Sequence, residues 1–143
     1  MTRIKLKDLL KEYAPSDPVL IDKAIAAIRR LGVRNPLRPQ ETLINDNVMI
    51  EISNWDKRLW ISTIQSLEKG QGHATKVMKM MCKIADKYNV TMALDPSPFG
   101  KDPNRMNSAQ LVQFYKKFGF EFAKGEDDFG DMERLPIQIA WYL

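Results

Sequence analysis

The sequence predicts a mixed α/β fold built as a single domain. Three observations lead there. Apolar and polar residues alternate over 48–53 and again over 59–67, which reads as two strands. Apolar residues recur at three- and four-residue steps over 74–88, which reads as an amphipathic helix. A strand at 91–95, a helix at 107–118 and a strand at 120–122 then follow in turn, so strands and helices alternate rather than segregate. The chain has 143 residues, 44% of them hydrophobic, which suits one core. It carries no internal repeat and no interdomain linker, so the domain spans 1–143.

The first part, 1–40, reads as mostly helical. Leu6, Leu9, Leu10 and Tyr13 form a short apolar stripe. Pro15-Ser16-Asp17-Pro18 breaks the chain and starts a second helix, with Ser16 or Asp17 as cap and Pro18 in the first turn. Ile21, Ala24, Ile25, Ile28 and Leu31 form its expected buried face, and Gly32 its stop. Pro36 and Pro39 lead into a weak strand near Thr42–Ile44. No clear opening strand precedes them.

The central elements are better marked. Val48, Ile50 and Ile52 alternate with Met49, Glu51 and Ser53. Leu59, Ile61 and Thr63 alternate with Trp60, Ser62 and Ile64. Asn54-Trp55-Asp56-Lys57 between them suggests a hairpin, though without an Asn-Gly turn. Ala74, Val77, Met78, Met81, Ile84, Ala85 and Tyr88 form one helical face, with Asn89 as a left-handed stop. Pro96–Pro103 reads as a surface loop or a lid. Asn107 and Gln110 form a capping box, with Met106 set to staple onto Leu111. Leu111, Phe114, Tyr115 and Phe118 form the stripe of that helix, and Gly119 ends it. Met132–Leu143 reads as a final strand pair interrupted at Pro136. Trp141 and Tyr142 there suit a core or an interface, which leaves a homodimer open.

Leu67-Glu68-Lys69-Gly70-Gln71-Gly72-His73-Ala74-Thr75 carries the chemistry. Two glycines one residue apart let backbone approach a ligand closely. The helix that follows begins with free N–H groups and the positive end of its dipole. A strand, a glycine turn and a helix N-terminus together make a cradle for an anion, above all a phosphate. The net charge of +4 suits a polyanionic ligand but is too modest to argue for nucleic acid. One cysteine, Cys82, and one histidine make a Cys/His metal site improbable. Cys82 reads as a buried structural thiol. With no long apolar run and no leader pattern, the expected place is the cytoplasm, with no membrane partner.

Two blocks support a resemblance. Lys69 to Ala74 resembles the Arg/Gln-x-x-Gly-x-Gly/Ala signature of the GNAT family of N-acetyltransferases. Phe114-Tyr115-Lys116-Lys117-Phe118-Gly119-Phe120 resembles that family's Phe-Tyr-x-Lys-x-Gly-Phe block. The chain's length is similar to that of compact members found in bacteriophages and plasmids. The resemblance covers roughly Val48 to Pro136. It implies a central, mostly antiparallel sheet flanked by helices, with 48–136 as an acetyl-CoA-binding core. It implies acetyl-CoA as cosubstrate and a primary amine as acceptor. It implies that Ile64, Gln65 and Ser66 hold the pantetheine arm. It places the pyrophosphate on Lys69, Gly70, Gln71, Gly72, His73, Ala74 and Thr75. It gives Tyr115 the role of general acid toward the departing thiolate. The chain departs from the pattern in three places. Lys69 stands where Arg or Gln is usual, and Ser108 holds the place of an asparagine expected to touch the cofactor. The strand before the loop lacks a central carboxylate.

The general base stays open. Glu51 on its strand could face the acceptor, or be an exposed strand carboxylate. Asp95, at the end of the next strand, could do so too, or form a turn before Pro96. A base reached through water, or none, are further choices. Tyr115 also lies on an apolar stripe and could be core. Glu126, Asp127, Asp128, Asp131 and Glu133 form an acidic cluster, read as a solvated loop or as an attractor for a cationic acceptor. Two other functions stay open: a non-catalytic acyl-CoA-binding or protein-interaction module on this fold, and a basic interaction protein that binds no cofactor.

Overall fold

The structure is a computed structural model, and it describes residues 16–68, 70–97, 106–122 and 130–137. Seven strands form one sheet in the order β1-β2-β3-β4-β5-β7-β6. They are β1 (Gly32–Asn35), β2 (Arg38–Ile44), β3 (Val48–Trp55), β4 (Arg58–Ser66), β5 (Met92–Leu94), β6 (Glu121–Phe122) and β7 (Met132–Arg134). Among the described residues the helices are α1 (Pro18–Arg29), α2 (His73–Lys87) and α3 (Ser108–Lys116). All neighbouring strands pair antiparallel except β4 and β5, which are parallel. The sheet is therefore mixed and mostly antiparallel, as expected.

Helix α1 starts as the sequence predicts. Asp17 caps it, accepting from the Val19 N–H at 2.9 Å, and Pro18 occupies the first turn, where no N–H is needed. Ile21, Ala24, Ile25 and Ile28 are buried, but Leu31 is 41% exposed because the helix ends before it. Ser16 does not cap the helix. Its Oγ accepts from the Thr91 N–H at 2.8 Å and ties the start of α1 to the foot of β5. Expectations for Leu6, Leu9, Leu10 and Tyr13 lie outside the described residues.

Within 1–40 the structure places the helix Pro18–Arg29 and, where no strand was expected, β1 and the start of β2; residues 1–15 lie outside the described residues. Gly32 is no helix stop. It pairs with Ile44, and a Cβ there would sit 2.3 Å from the Leu43 carbonyl oxygen. Glycine at 32 serves the close approach of two strands, a role that local helix signals do not reveal. The weak strand at Thr42–Ile44 is the end of the longer β2.

The β3–β4 hairpin is confirmed, with Trp55 paired to Arg58 around Asp56 and Lys57. Both turn residues have positive φ, 53° and 57°, the backbone of a type I′ turn built without glycine. The alternation in β4 does not run straight through. Glu51 pairs with Thr63 and Ile52 with Ile61, leaving Ser62 as an extra residue, a β-bulge. Parity switches there, so Leu59 and Ile61 lie in the core before the bulge and Ile64 packs on the same core after it.

Helix α2 buries Val77, Met78, Met81, Cys82 and Ala85, and Asn89 follows with φ 58° as the left-handed stop. Helix α3 has both hydrogen bonds of the expected capping box, at 2.9 Å each, and Gly119 follows it with φ 94°. Of the final strand pair, β7 is present and pairs with β5 and β6; residues 138–143, with Trp141 and Tyr142, lie outside the described residues.

The short strands at this edge are clamped by Arg134, which is 4% exposed. Its guanidinium meets both oxygens of Asp86 on α2, at 2.8 and 3.0 Å, and its Nε donates to the Phe118 carbonyl at 2.7 Å. Asp86 also accepts from the Ile137 N–H at 2.9 Å. One ion pair thus joins α2, the end of α3 and β7. Removing one partner leaves a buried charge alone, which costs about 3–5 kcal/mol. Asp86→Ala is therefore expected to lower the unfolding free energy by about 3 kcal/mol in urea titrations. A loss near zero would show that Arg134 finds water instead.

Candidate functional site

Parallel pairing of β4 and β5 covers only Leu59–Ile61 against Met92–Leu94. From Ser62 to Ser66, β4 keeps its β3 neighbour but has no β5 partner. Among the described residues the β5-facing backbone groups of this stretch have no sheet partner, and they lie next to a bulge that bends the strand. Ile64, Gln65 and Ser66 all lie on it.

The strand leads into the glycine loop. The Leu67 N–H donates to the Asn47 carbonyl at 2.7 Å, and Ser66 Oγ donates to the Glu68 carbonyl at 2.6 Å, which fixes the entry. Gly70 and Gly72 both have positive φ, 79° and 73°, a region that side chains disfavour. A Cβ at either would meet nothing within 4 Å, so the loop faces open space. Gly72 is the N-cap of α2 and offers no side-chain cap. The first helical bond is from the Lys76 N–H to the Gly72 carbonyl, so the N–H groups of His73, Ala74 and Thr75 lack an intrahelical acceptor. Left-handed glycines, an open face and uncapped amides fit a phosphate-bearing ligand. Lys69 lies outside the described residues. His73 Nε2 sits 3.6 Å from a Glu68 carboxylate oxygen, and that carboxylate is 72% exposed.

The other candidates are dispersed. Tyr115 is 7% exposed, with its ring edge-on to Phe114 and Phe120. Burial pushes its hydroxyl up to about 12. Ser108 is exposed in the first turn of α3. Asp95 is exposed beyond β5 and accepts from Ser97 Oγ at 2.7 Å, a turn-forming contact. Glu51 is half-buried on β3 and sits opposite Glu41. Glu41 is engaged by Arg38 at 3.1 Å and by the Asn35 amide at 3.2 Å.

The acidic cluster does not survive as a set of free carboxylates. Glu133 is bonded to Arg58 at 2.9 Å, Asp131 is engaged as well, and Glu126, Asp127 and Asp128 lie outside the described residues. Cys82 is buried, and burial pushes its thiol up to about 11. Among the described residues no group of His, Cys, Asp and Glu could hold a metal ion, and no helix is long and apolar enough to cross a membrane.

One feature had no sequence signal: a cleft of about 760 Å³ beside α1. Its lining includes Asp22 and Arg29 of α1, Arg30 at its C-cap, Arg34 of β1, Gln40 of β2, Glu51 of β3 and Ser62 at the bulge. These residues come from five separate elements, so no spacing along the chain betrays them. The bulge itself was readable, because Ile61 and Ile64 are both apolar at a spacing that strict alternation forbids.

The raised Tyr115 and Cys82 values carry a pH consequence. Both groups hold their protons more tightly folded than at their ordinary values of 10.0 and 9.0. The stability this gives is fully present below about pH 8.5, the ordinary thiol range, and is lost as pH rises through about 11 and 12. The melting temperature should fall through this alkaline range, and Tyr115→Phe should flatten the upper part of the fall. An identical profile in the variant would place the hydroxyl in contact with bulk water.

No family model matches the sequence, and no curated protein matches it. A likeness appears among solved structures. The crystal structure of the anti-CRISPR protein AcrVA5 superposes with a TM-score of 0.51 at 19% sequence identity. The match covers 62% of this chain and 90% of AcrVA5. At that identity the likeness concerns the fold alone: over the matched part the chain folds like AcrVA5.

Proposed function

We propose that the protein is an acetyl-CoA-dependent N-acetyltransferase that acts on a primary amine. The observation that carries this reading is the continuity of β4. Its half-unpaired end runs directly into two left-handed glycines and the uncapped N-terminus of α2. A long ligand with a phosphate at one end and amide groups along its arm fits that sequence of features.

In this reading the amides of Gly70 to Thr75 hold the pyrophosphate, with Lys69 as a point charge. The backbone of Ile64, Gln65 and Ser66 pairs with the pantetheine arm in place of a β5 partner. Acetyl-CoA supplies the activated acetyl group. Anchoring it at two places aims its thioester and removes much of the entropy cost of the encounter. Transfer forms a C–N bond and breaks the C–S bond. The amine proton leaves to a base or to water, and the sulfur gains a proton.

Tyr115 would serve that sulfur. Its hydroxyl is protonated at neutral pH, since burial holds it up to about 12. An ordinary thiol lies near ~8.5, so full transfer from Tyr115 is uphill by roughly 5 kcal/mol. Tyr115 therefore acts as a hydrogen-bond donor to the developing negative charge, with solvent completing the protonation. Glu51 and Asp95 are the candidates for the base, and Glu51, half-buried and lining the cleft, is the better placed.

A second reading rests on the same tyrosine. Its ring packs against Phe114 and Phe120, and burial takes its hydroxyl further from the thiol it would serve. A non-catalytic protein that binds acyl-CoA would also look like this.

Calorimetric titration with acetyl-CoA, followed by an amine screen, separates the two. The wild type should bind, and Gly72→Glu should weaken binding at least about tenfold through bulk and charge at the cradle. Tyr115→Phe should keep acetyl-CoA binding and lower kcat by about a hundredfold. Binding without turnover would establish the second reading. No binding by folded protein would remove both.

A further inference from the structure

The cleft beside α1 is lined by three arginines, Arg29, Arg30 and Arg34, and by two carboxylates, Asp22 and Glu51, of which Asp22 accepts from the Asn54 amide at 3.0 Å. Past the Glu41–Glu51 pair, β2 and β3 no longer pair, and the cleft opens where they part. Ile52 loses its β2 neighbour there, and its carbonyl accepts instead from an Nη of Arg29 at 3.3 Å. The Nε of Arg29 is buried and has no hydrogen-bond partner. Arg34 of β1 lines the same cleft. It is close enough that its charge, together with burial, disfavours the charge on Arg29. Among the described residues neither arginine has a carboxylate partner. Glu51 lines the same cleft, and among the described residues no cation pairs with it.

Arginines near the end of α1 have an ordinary explanation, which is the negative end of the helix dipole. Arg30 fits it, since its Nε donates to the Ala26 carbonyl in the last turn. Arg29 and Arg34 do not. Arg34 lies on a strand, where its Nε donates to the Pro39 carbonyl at 2.6 Å, and Arg29, although in the last turn of α1, lines the cleft with its Nε left over. Two arginines lining one cleft, one of them with a buried donor unused, suit an anion placed between them.

Resting on the acetyltransferase reading, we propose that this cleft receives the acceptor and selects an amine that also carries an anionic group, a carboxylate or a phosphate. Arg29 and Arg34 hold the anionic group, and Gln40 supplies a further polar contact; the Asn54 amide already donates to the Pro18 carbonyl at 3.2 Å and to Asp22 at 3.0 Å. Glu51 is left for the amine. Ser62 connects the two halves of the site, because it lines the cleft and also begins the unpaired stretch of β4. The acceptor cleft and the cofactor strand thus meet at the bulge.

The test uses amide chemical shifts of the whole protein, recorded without acetyl-CoA. The probes are β-alanine, phosphoethanolamine, ethanolamine and inorganic phosphate. At least one of the two anionic amines should shift the amides of Arg29, Arg34, Ile52 and Ser62, and which one does so tells carboxylate from phosphate. Ethanolamine should not shift them, and inorganic phosphate should bind more weakly than the amine that carries it. Arg34→Gln, at an exposed position, should weaken the preferred probe about tenfold while leaving the fold intact. Arg29→Lys keeps the charge and loses the fork, and should weaken it too. Equal shifts from ethanolamine, or none from either anionic amine, overturn the proposal. So does inorganic phosphate binding as tightly as the aminophosphate. Since no acetyl-CoA is present, failure here is distinct from failure of the acetyltransferase reading, which the calorimetric titration reports.

Discussion

The structure turns on the shortness of one strand pairing. β4 and β5 run parallel for three residues, Leu59–Ile61 against Met92–Leu94, and then part. A parallel neighbour requires a crossover, and α2 is that crossover. The chain must therefore leave β4, enter a helix and return to β5, which sets a helix N-terminus at the end of the strand. Had β5 been as long as β4, the edge of β4 would be filled by backbone. Because it is not, Ser62–Ser66 offers hydrogen-bonding groups beside the glycine loop.

A strand as short as β5 contributes little by itself, so side chains hold that side of the sheet. Ser16 Oγ receives the Thr91 N–H at the entry to β5. Arg58 of β4 reaches across β5 to Glu133 of β7 at 2.9 Å. Arg134, the next residue, is clamped by Asp86. Neighbouring residues of β7 thus point their charges to opposite sides of the sheet, one tied to β4 and one to α2. Desolvation offsets much of what such pairs give, so their value lies in fixing geometry as much as in stability.

The bulge at Ser62 connects the two open regions. Before it, β4 is covered by β5, and after it, no described strand replaces β5 on that side. The inserted residue lines the cleft beside α1, where β2 and β3 also part. The two openings arise differently: β4 runs on after β5 has stopped, whereas β2 and β3 both continue beyond Glu41 and Glu51 but no longer pair. Backbone groups left over at such places need partners from side chains, water or a ligand. Arg29 answers one of them, at the Ile52 carbonyl, and leaves its own Nε unanswered.

The sequence by itself determined the local features. The capping box of Asn107 and Gln110, the Asp17-Pro18 start, the left-handed Asn89 and the apolar stripe of α2 are set by residues within a few positions of one another. The glycine loop belongs with them, since its two left-handed glycines depend only on local sterics. Tertiary structure decided what depends on distant partners. Gly32 looks like a helix stop until Leu43 is brought against it. Glu133 looks like one of an acidic cluster until Arg58 reaches it. Arg29 and Arg34 come together with Glu51 only when a helix and two hairpins meet. Periodicity and caps report forces that act over one or two turns of chain. Charge pairing and strand parting depend on contacts between residues far apart in sequence, and no local pattern encodes which of those contacts form.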